Sequence, residues 1–369
     1  MSLRRSAMLL VLTLAFHFDS FAITYYSVSG SFSLVVADIN HDGKADILTV
    51  SGASVSVLLN AGNGTFLPHV DYPVDPQTLF MATADFNNDG NLDLVTETGA
   101  TGGVIDLLLG NGDGTFQPAT SFVSHCGIDP RAIVTGDFNG DGMADFATGN
   151  LGPRKLGMFF GNGQGGFNPG PCNTAPASDI VPVDINGDGK LDLVGTNASS
   201  QAAPYGLSTL LGNADGTFQS QSFGFHTALQ SPQLIDLNGD GKLDVLAMSA
   251  PSGFAVSVIN ALGNRDGTFS NPKSLAAHNL RAFRADLFHQ NAFPGLVAET
   301  NRGVAFTLTF FEGSGDGTFK VGNSYQIPSF SSMILSADLD GDGNIDLVGS
   351  LPNDSRVYVY YGNGDGTFR

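Results

Sequence analysis

Tryptophan is absent from this chain of 369 residues, cysteine appears twice, and Lys and Arg together number only 16. No basic stripe and no interleaving of basic with aromatic residues occurs, which argues against nucleic acid as a partner. Charged residues make up 14 %, yet the hydrophobic share of 42 % is ample for a packed core, so the scarcity of charge does not signal disorder. After residue 22 there is no amphipathic helical period of useful length and no apolar run long enough to cross a bilayer. G-x-S-x-G and H-E-x-x-H are missing, and no Cys–His pairing suggests a nucleophile. Gly161-x-Gly163-x-x-Gly166 fits a dinucleotide fingerprint by letters only, because it belongs to a turn that recurs along the chain. The two cysteines, Cys126 and Cys172, follow the turns of neighbouring units, and both a disulfide and two separate thiols are open to them.

Glycine and phenylalanine are plentiful instead, at 48 and 28 residues. They mark a repeat. The pattern D-x-[ND]-x-D-G-x-x-D starts at Asp38, Asp85, Asp137, Asp184, Asp236 and Asp338, with a damaged copy at Asp286. Each copy is followed by a Gly-Asn-Gly-Asp-Gly-Thr-Phe-type turn that ends at Phe66, Phe116, Phe167, Phe218, Phe269, Phe319 or Phe368. First-Asp positions lie 47 to 52 residues apart and closing Phe positions 49 to 51, which leaves no room for an inserted catalytic domain.

In the second unit Thr78–Asp85, Leu92–Thr96, Val104–Leu109 and the segment from Thr115 read as four short strands with turn signals between them. Four strands per unit at this period predict an all-β fold, a β-propeller of four-stranded blades. The last copy stops at Phe368-Arg369, where a fourth strand is due, and Ile23–Val28 reads as a fourth strand without the preceding three. The N-terminal strand is therefore expected to complete the last blade and close a ring of seven.

The acidic loops set the chemistry. A hard divalent cation such as Ca²⁺ takes six to eight oxygens, and carboxylates or an amide at loop positions 1, 3 and 5 can wrap it. Glycine at position 6 permits the turn that lets position 7 offer its carbonyl, and Asp at position 9 finishes the shell in place of a later Glu. The expected donors are Asp38, Asn40, Asp42, Lys44 and Asp46, then Asp85, Asn87, Asp89, Asn91 and Asp93, then Asp137, Asn139, Asp141, Met143 and Asp145. They continue with Asp184, Asn186, Asp188, Lys190 and Asp192, with Asp236, Asn238, Asp240, Lys242 and Asp244, and with Asp338, Asp340, Asp342, Asn344 and Asp346. Lys44, Asn91, Met143, Lys190, Lys242 and Asn344 enter through the backbone carbonyl alone. Asp, Asn and Gly also favour any tight turn, which accounts for the Gly-Asn-Gly-Asp-Gly segments without metal. Turn preference does not account for Asp at position 9 in all six copies. About six Ca²⁺ ions are expected, with folding coupled to metal because three or four carboxylates within a few ångströms repel one another. The sixth copy keeps only Asp286 and is expected to be empty; His289 beside it has no partners for a transition metal.

With these motifs the mature chain resembles the FG-GAP or VCBS repeats of integrin α-subunit-type β-propellers. The resemblance implies that the acidic loop joins the first two strands of each blade and holds Ca²⁺ on one face of the disc. The family is functionally broad, so the fold alone does not settle function.

Residues 1–22 read as a signal peptide: Arg4 and Arg5, the apolar run from Ala7 to Phe16, then Ser20-Phe21-Ala22 before the cut. An uncleaved anchor is the alternative. Cleavage removes Arg4, Arg5 and Asp19 and takes the net charge from −19 to −20, much of it in the loops. Residues 23–369 then form the propeller, secreted or at the cell surface, and expected to be a monomer. The primary expectation is an extracellular binding or adhesion module for protein or glycan, not an enzyme. Its contacts would come from loops opposite the metal face, Gly149–Leu156, Asn197–Gly206, Ala250–Ala255 and Glu299–Val304. Candidate contacts are Arg131, Arg154, Tyr205, Phe254, Arg281 and Arg302; each taken singly reads more readily as an ordinary exposed residue. The alternatives are a propeller-fold polysaccharide-degrading enzyme and a structural surface protein without a defined ligand.

Overall fold

The fold is described by a computed structural model covering residues 23–369, apart from 31, 100–102, 126–129, 151–155, 174–178, 198–205, 225–227, 251–255, 276–279, 291–292, 303–304 and 352–353. The expected signal peptide lies outside the described residues. So do Arg154, Tyr205 and Phe254, with most of the loops expected to carry contacts.

Every regular element among the described residues is a β-strand, and together they form a β-propeller. The plainest sheet is a four-stranded antiparallel meander of Asp179–Val183, Asp192–Asn197, Gly206–Gly212 and Phe218–Gly224. Its second strand is apolar with Asp192, Leu193 and Val194 fully buried, because both faces of a blade pack on neighbouring blades. Three more meanders repeat this order, beginning at Pro130–Gly136, Ala228–Ile235 and Leu280–Asp286. In a fifth sheet Met333–Ala337, Asp346–Ser350 and Arg356–Tyr360 take their outer strand from the other end of the chain: Thr24–Ser27 pairs antiparallel with Arg356–Val359.

Two expectations need correction. Seven separate four-stranded blades are not what the hydrogen bonding gives. Among the described residues five sheets are four-stranded, and Ser33–Ala37, Asp46–Leu58, Val70–Ala84, Asp93–Thr98, Val104–Leu108 and Thr120–Val123 form one six-stranded sheet. The physical reason lies in two short connections that stay in the ladder. Asp46–Leu58 bends at Gly52 (φ 67°), so that its first half pairs with Ser33–Ala37 and its second half with Val70–Pro73. Gly52 then pairs with Thr78, and Thr78–Ala84 pairs onward with Asp93–Thr98. Nor is the ring closed by hydrogen-bonded strands: among the described residues no ladder joins the sheet holding Thr24–Ser27 to the one holding Ser33–Ala37.

Packing does what the ladders do not. Among the described residues seven buried clusters lie between successive repeats, and each contains one residue from the acidic loop of a repeat and the closing phenylalanine of the next. Ile39 meets Phe116, Phe86 meets Phe167, Phe138 meets Phe218, and Ile185 meets Phe269. Leu237 shares a cluster with Phe319 and Phe288 with Phe368. Leu339 of the last loop shares its cluster with Phe66 of the first repeat. Burying a side chain of this size contributes roughly 1.5–3 kcal/mol. The Phe86 and Phe167 rings also meet edge to face with centroids 5.1 Å apart, and those of Phe288 and Phe368 at 6.0 Å.

Candidate functional site

The six intact acidic loops share one internal hydrogen-bond pattern. The carboxylate at position 1 accepts the glycine N–H of position 6 at 2.8–2.9 Å in every copy, from Gly43 on Asp38 to Gly343 on Asp338. The position 3 oxygen accepts the N–H of position 5, and the position 5 carboxylate accepts that of position 7 at 2.8–3.0 Å. Such nested turns need left-handed backbone at positions 4 and 6, as in Gly140 (φ 77°) and Gly142 (φ 82°). The loops are thus held in shape by their own side chains, with only oxygen donors at positions 1, 3 and 5. In the last loop Asp338, Asp340 and Asp346 each offer an oxygen within 4.8 Å of the others. The other five copies have Asn at position 3, an amide oxygen of the same hardness toward a cation. This donor set fits Ca²⁺.

Position 9 has a second role that the sequence pattern alone did not disclose. Asp46, Asp93, Asp145, Asp192, Asp244 and Asp346 are all fully buried. One oxygen of each accepts the N–H of loop position 2, at 2.8–3.1 Å. The other accepts the N–H of the residue that opens the glycine-rich turn, at 2.7–2.8 Å. The carboxylate clamps loop to turn. The turn presses so closely on the second strand that a Cβ on Gly161 would lie 2.1 Å from the Ala144 carbonyl oxygen, which is why glycine opens that turn. Burial pushes the Asp145 carboxyl up to about 6 and the Asp346 carboxyl up to about 7, and the adjoining Asp141, or Asp340 and Asp342, push the same way. A bound cation would reverse that push.

Neighbouring groups treat the loops unequally. Lys44 Nζ lies 2.8 Å from Asp42 Oδ2 and Lys242 Nζ 3.2 Å from Asp240 Oδ2. Arg369 bridges Asp340 and Asp342 in the last loop. In the damaged copy, Asp286 reaches the next repeat instead: Ser336 donates to its Oδ2, and Arg284 Nε donates to the Ser336 hydroxyl at 2.7 Å. Phe288 there takes the buried loop position, and Leu287 is 52 % exposed. His289 faces Glu312 at 3.9 Å. In the Gly-Asn-Gly-Asp-Gly turns the Asp carboxylates bond to Thr two residues on, as Asp113 does to Thr115, and this holds the Asp113 carboxyl below its usual range. Cys172 is disulfide-bonded; the chain's other cysteine, Cys126, lies outside the described residues.

A second candidate site opens at the opposite end of the first strands. Each first strand runs from this end toward its acidic loop, so Arg131 starts the strand that delivers Asp137. Residues five or six before the first Asp converge from every repeat on a cavity of about 380 Å³: Phe32, Phe80, Arg131, Asp179, Ser231, Arg281 and Ser332. Of the sequence candidates the structure brings Arg131 and Arg281 together here; Arg302 ends its strand and is not among the lining residues. Phe32, Phe80, Asp179 and Arg284 were missed, although for the first three the offset from the first Asp was available as a signal. Phe32 and Phe80 meet edge to face at 5.9 Å between centroids. Asp179 accepts the Ser231 N–H at 2.9 Å; burial raises its carboxyl pKa and the charge of Arg131 opposes the rise. Arg281 lies over the Phe330 ring at 5.1 Å.

A family model described as FG-GAP-like repeat matches residues 38–96, 98–148 and 184–247. No curated protein matches the chain in sequence. Among solved structures, the chain is similar to an Agrocybe aegerita lectin described by its specific recognition of non-reducing terminal N-acetylglucosamine. Identity is 21 %, with 81 % of this chain and 80 % of that one covered at a TM-score of 0.53. It is similar to BBS1N, solved in complex with ARL6DN, at 10 % identity, 92 % and 96 % coverage and a TM-score of 0.59. It is also similar to a protein from Lactobacillus plantarum at 12 % identity, 82 % and 86 % coverage and a TM-score of 0.55. At these identities the likeness is one of fold. No helix among the described residues is long and apolar enough to cross a membrane.

Proposed function

Starting from the premise that this chain is an FG-GAP-like repeat protein, we propose that it is a secreted, calcium-stabilised propeller that binds an extracellular glycan or protein. Its seven repeats act as seven packing units in this reading, although hydrogen bonding merges the first two into one sheet. The seven shared clusters support that view. Six Ca²⁺ ions sit in the intact loops and fix one face.

The observation that carries the binding role is the separation of the two ends. The acidic loops and their turns are bonded into one another, whereas the other end presents guanidinium and aromatic groups around an open cavity. Positioned polar groups in a partly apolar hollow are what small-ligand recognition requires. The fold-level likeness to a lectin favours a glycan over a protein, as an analogy. The test is a glycan array and a pull-down from extracellular fluid with the mature chain, in Ca²⁺ and in chelator. Selective capture in Ca²⁺ supports the proposal. Silence in both formats favours a structural protein, and turnover of a polysaccharide favours the enzyme.

A further inference from the structure

The charges around the axial cavity do not cancel. Arg131 stands beside Asp179, and Arg284 is linked to Asp286 through the Ser336 hydroxyl. Arg281 has no carboxylate partner among the described residues; it is exposed, and its guanidinium rests on an aromatic ring. One uncompensated cation therefore marks the mouth of a cavity in a chain of formal charge −19. In a protein with 35 acidic and 16 basic residues, the charged lining of this cavity is, among the described residues, three Arg to one Asp. The rest of the lining is largely apolar, with Phe32 and Phe80 on one side. At about 380 Å³ the cavity stands near the small end of ligand sites, which run from about 300 to 1,000 Å³, and so suits one ring rather than a polymer.

We propose that this cavity binds a single hexuronic acid residue, free or at the end of a glycan, with its carboxylate on Arg281 and its ring against Phe32 and Phe80. A planar guanidinium receives a carboxylate through two parallel N–H···O bonds, which a neutral hexose cannot supply. The exposed face of the Phe32 ring receives the apolar C–H face of the sugar. Arg131, beside Asp179, orients the ring hydroxyls. The inference rests on the binding reading above and specifies its ligand class.

The experiment is a calorimetric titration of the whole mature chain in Ca²⁺ with D-glucuronate, D-galacturonate, a glucuronate-terminated disaccharide, D-glucose and acetate. At least one carboxylated sugar is expected to bind at least about tenfold more tightly than glucose, and Arg281→Ala to lose about tenfold or more of that affinity. Binding should weaken as salt rises. Arg281→Lys, which keeps charge but loses the bidentate geometry, should fall between them. Tighter binding of the disaccharide than of the free sugar identifies a chain end as the natural source; the reverse identifies the monosaccharide. Equal binding of uronate and glucose overturns the proposal, and so does acetate binding as well as uronate, or an Arg281→Ala affinity unchanged from the parent. If Arg281→Ala does not fold, the ligand ranking and salt dependence of the parent decide. Neutral glycans captured on the array without any uronate binding would sink this inference and leave the binding role standing. No capture at all, with uronate binding intact, would do the opposite to the array-based reading.

Discussion

Asn60 donates its side-chain amide to the carbonyl of Leu339 at 2.8 Å, across 279 residues of sequence. The same amide reaches the Ala45 carbonyl at 3.0 Å, so one side chain ties the first repeat to the acidic loop of the last. In the other intact repeats the corresponding position is glycine, as in Gly110, Gly161 and Gly362. The first repeat thus departs from its siblings where the two ends of the chain meet. Phe66 and Leu339 share a cluster at the same place, so packing and this bond act together.

Removal of calcium is expected to lower the melting temperature. A ligand present at a hundred times its Kd stabilises by about 2.7 kcal/mol per site, and six sites acting on one cooperative fold would move the midpoint by many degrees. Differential scanning calorimetry in Ca²⁺ and in excess chelator measures it, and an unchanged melt would overturn the calcium assignment. Metal analysis of the loaded protein should give about six ions per chain, since the damaged loop keeps one of its Asp ligands.

Position 9 and position 5 should respond differently to the same chemical change. Asp145→Asn places an amide N–H₂ against the N–H of Phe138 or of Gly161 and should cost about 1–3 kcal/mol even in chelator. Asp141→Asn, in an exposed part of the loop, should cost stability chiefly when calcium is present. Urea unfolding of both variants, with and without calcium, measures the contrast. Equal losses in chelator would remove the clamp role.

The damaged copy gives a register test. Phe288, buried against Phe310 and Phe368, is expected to lose about 3–5 kcal/mol on truncation to Ala. Leu287, its exposed neighbour, should change by no more than about 0.5 kcal/mol. Denaturant midpoints decide, and similar costs for the two would contradict the packing described.

Glu97 supplies a pH dependence away from the acidic loops. It is buried, its Oε2 has no hydrogen-bond partner, and burial pushes its carboxyl up to about 8 from an ordinary 4.5, with Ser124 pulling the other way. Below pH 4.5 the folded and unfolded chains both hold the proton. Between 4.5 and about 8 the unfolded chain releases it while the folded chain keeps it, so this group's contribution declines as pH rises. The stability lost across that window is on the order of a few kcal/mol, because each pH unit within it costs about 1.4 kcal/mol. Glu97→Gln should flatten the fall between pH 5 and 8 in urea midpoints; an unchanged slope would contradict the assignment.

Much of this architecture was legible in the sequence because its repeat places the same residue types at the same offsets. The carboxylates at positions 1, 5 and 9 and the closing phenylalanines could be read directly. The pairing of Thr24–Ser27 with the last strand was legible too, from a strand missing at one end and orphaned at the other. What the letters did not disclose was partnership across repeats. Ile39 and Phe116 are recognisably apolar, but nothing local says that a loop residue of one repeat packs with a turn residue of the next. The clamp made by Asp at position 9 was not legible, because its two N–H partners come from backbone, which carries no sequence signal. The fused first sheet turns on a bend at Gly52 and a pairing with Thr78, and both depend on how short a connection is rather than on which residues compose it. The cavity was half visible: Arg131 and Arg281 stood out as basic residues in an acidic chain, whereas Phe32 and Phe80 looked like any other core phenylalanine.

No repeat owns its core. Every cluster is half of one repeat and half of the next, including the one shared by the last and the first. Excising a single repeat would therefore strip two half-cores, and a fragment of a few repeats would carry a bare apolar face at each end. The chain should unfold as a unit, and proteases should find either an intact ring or none.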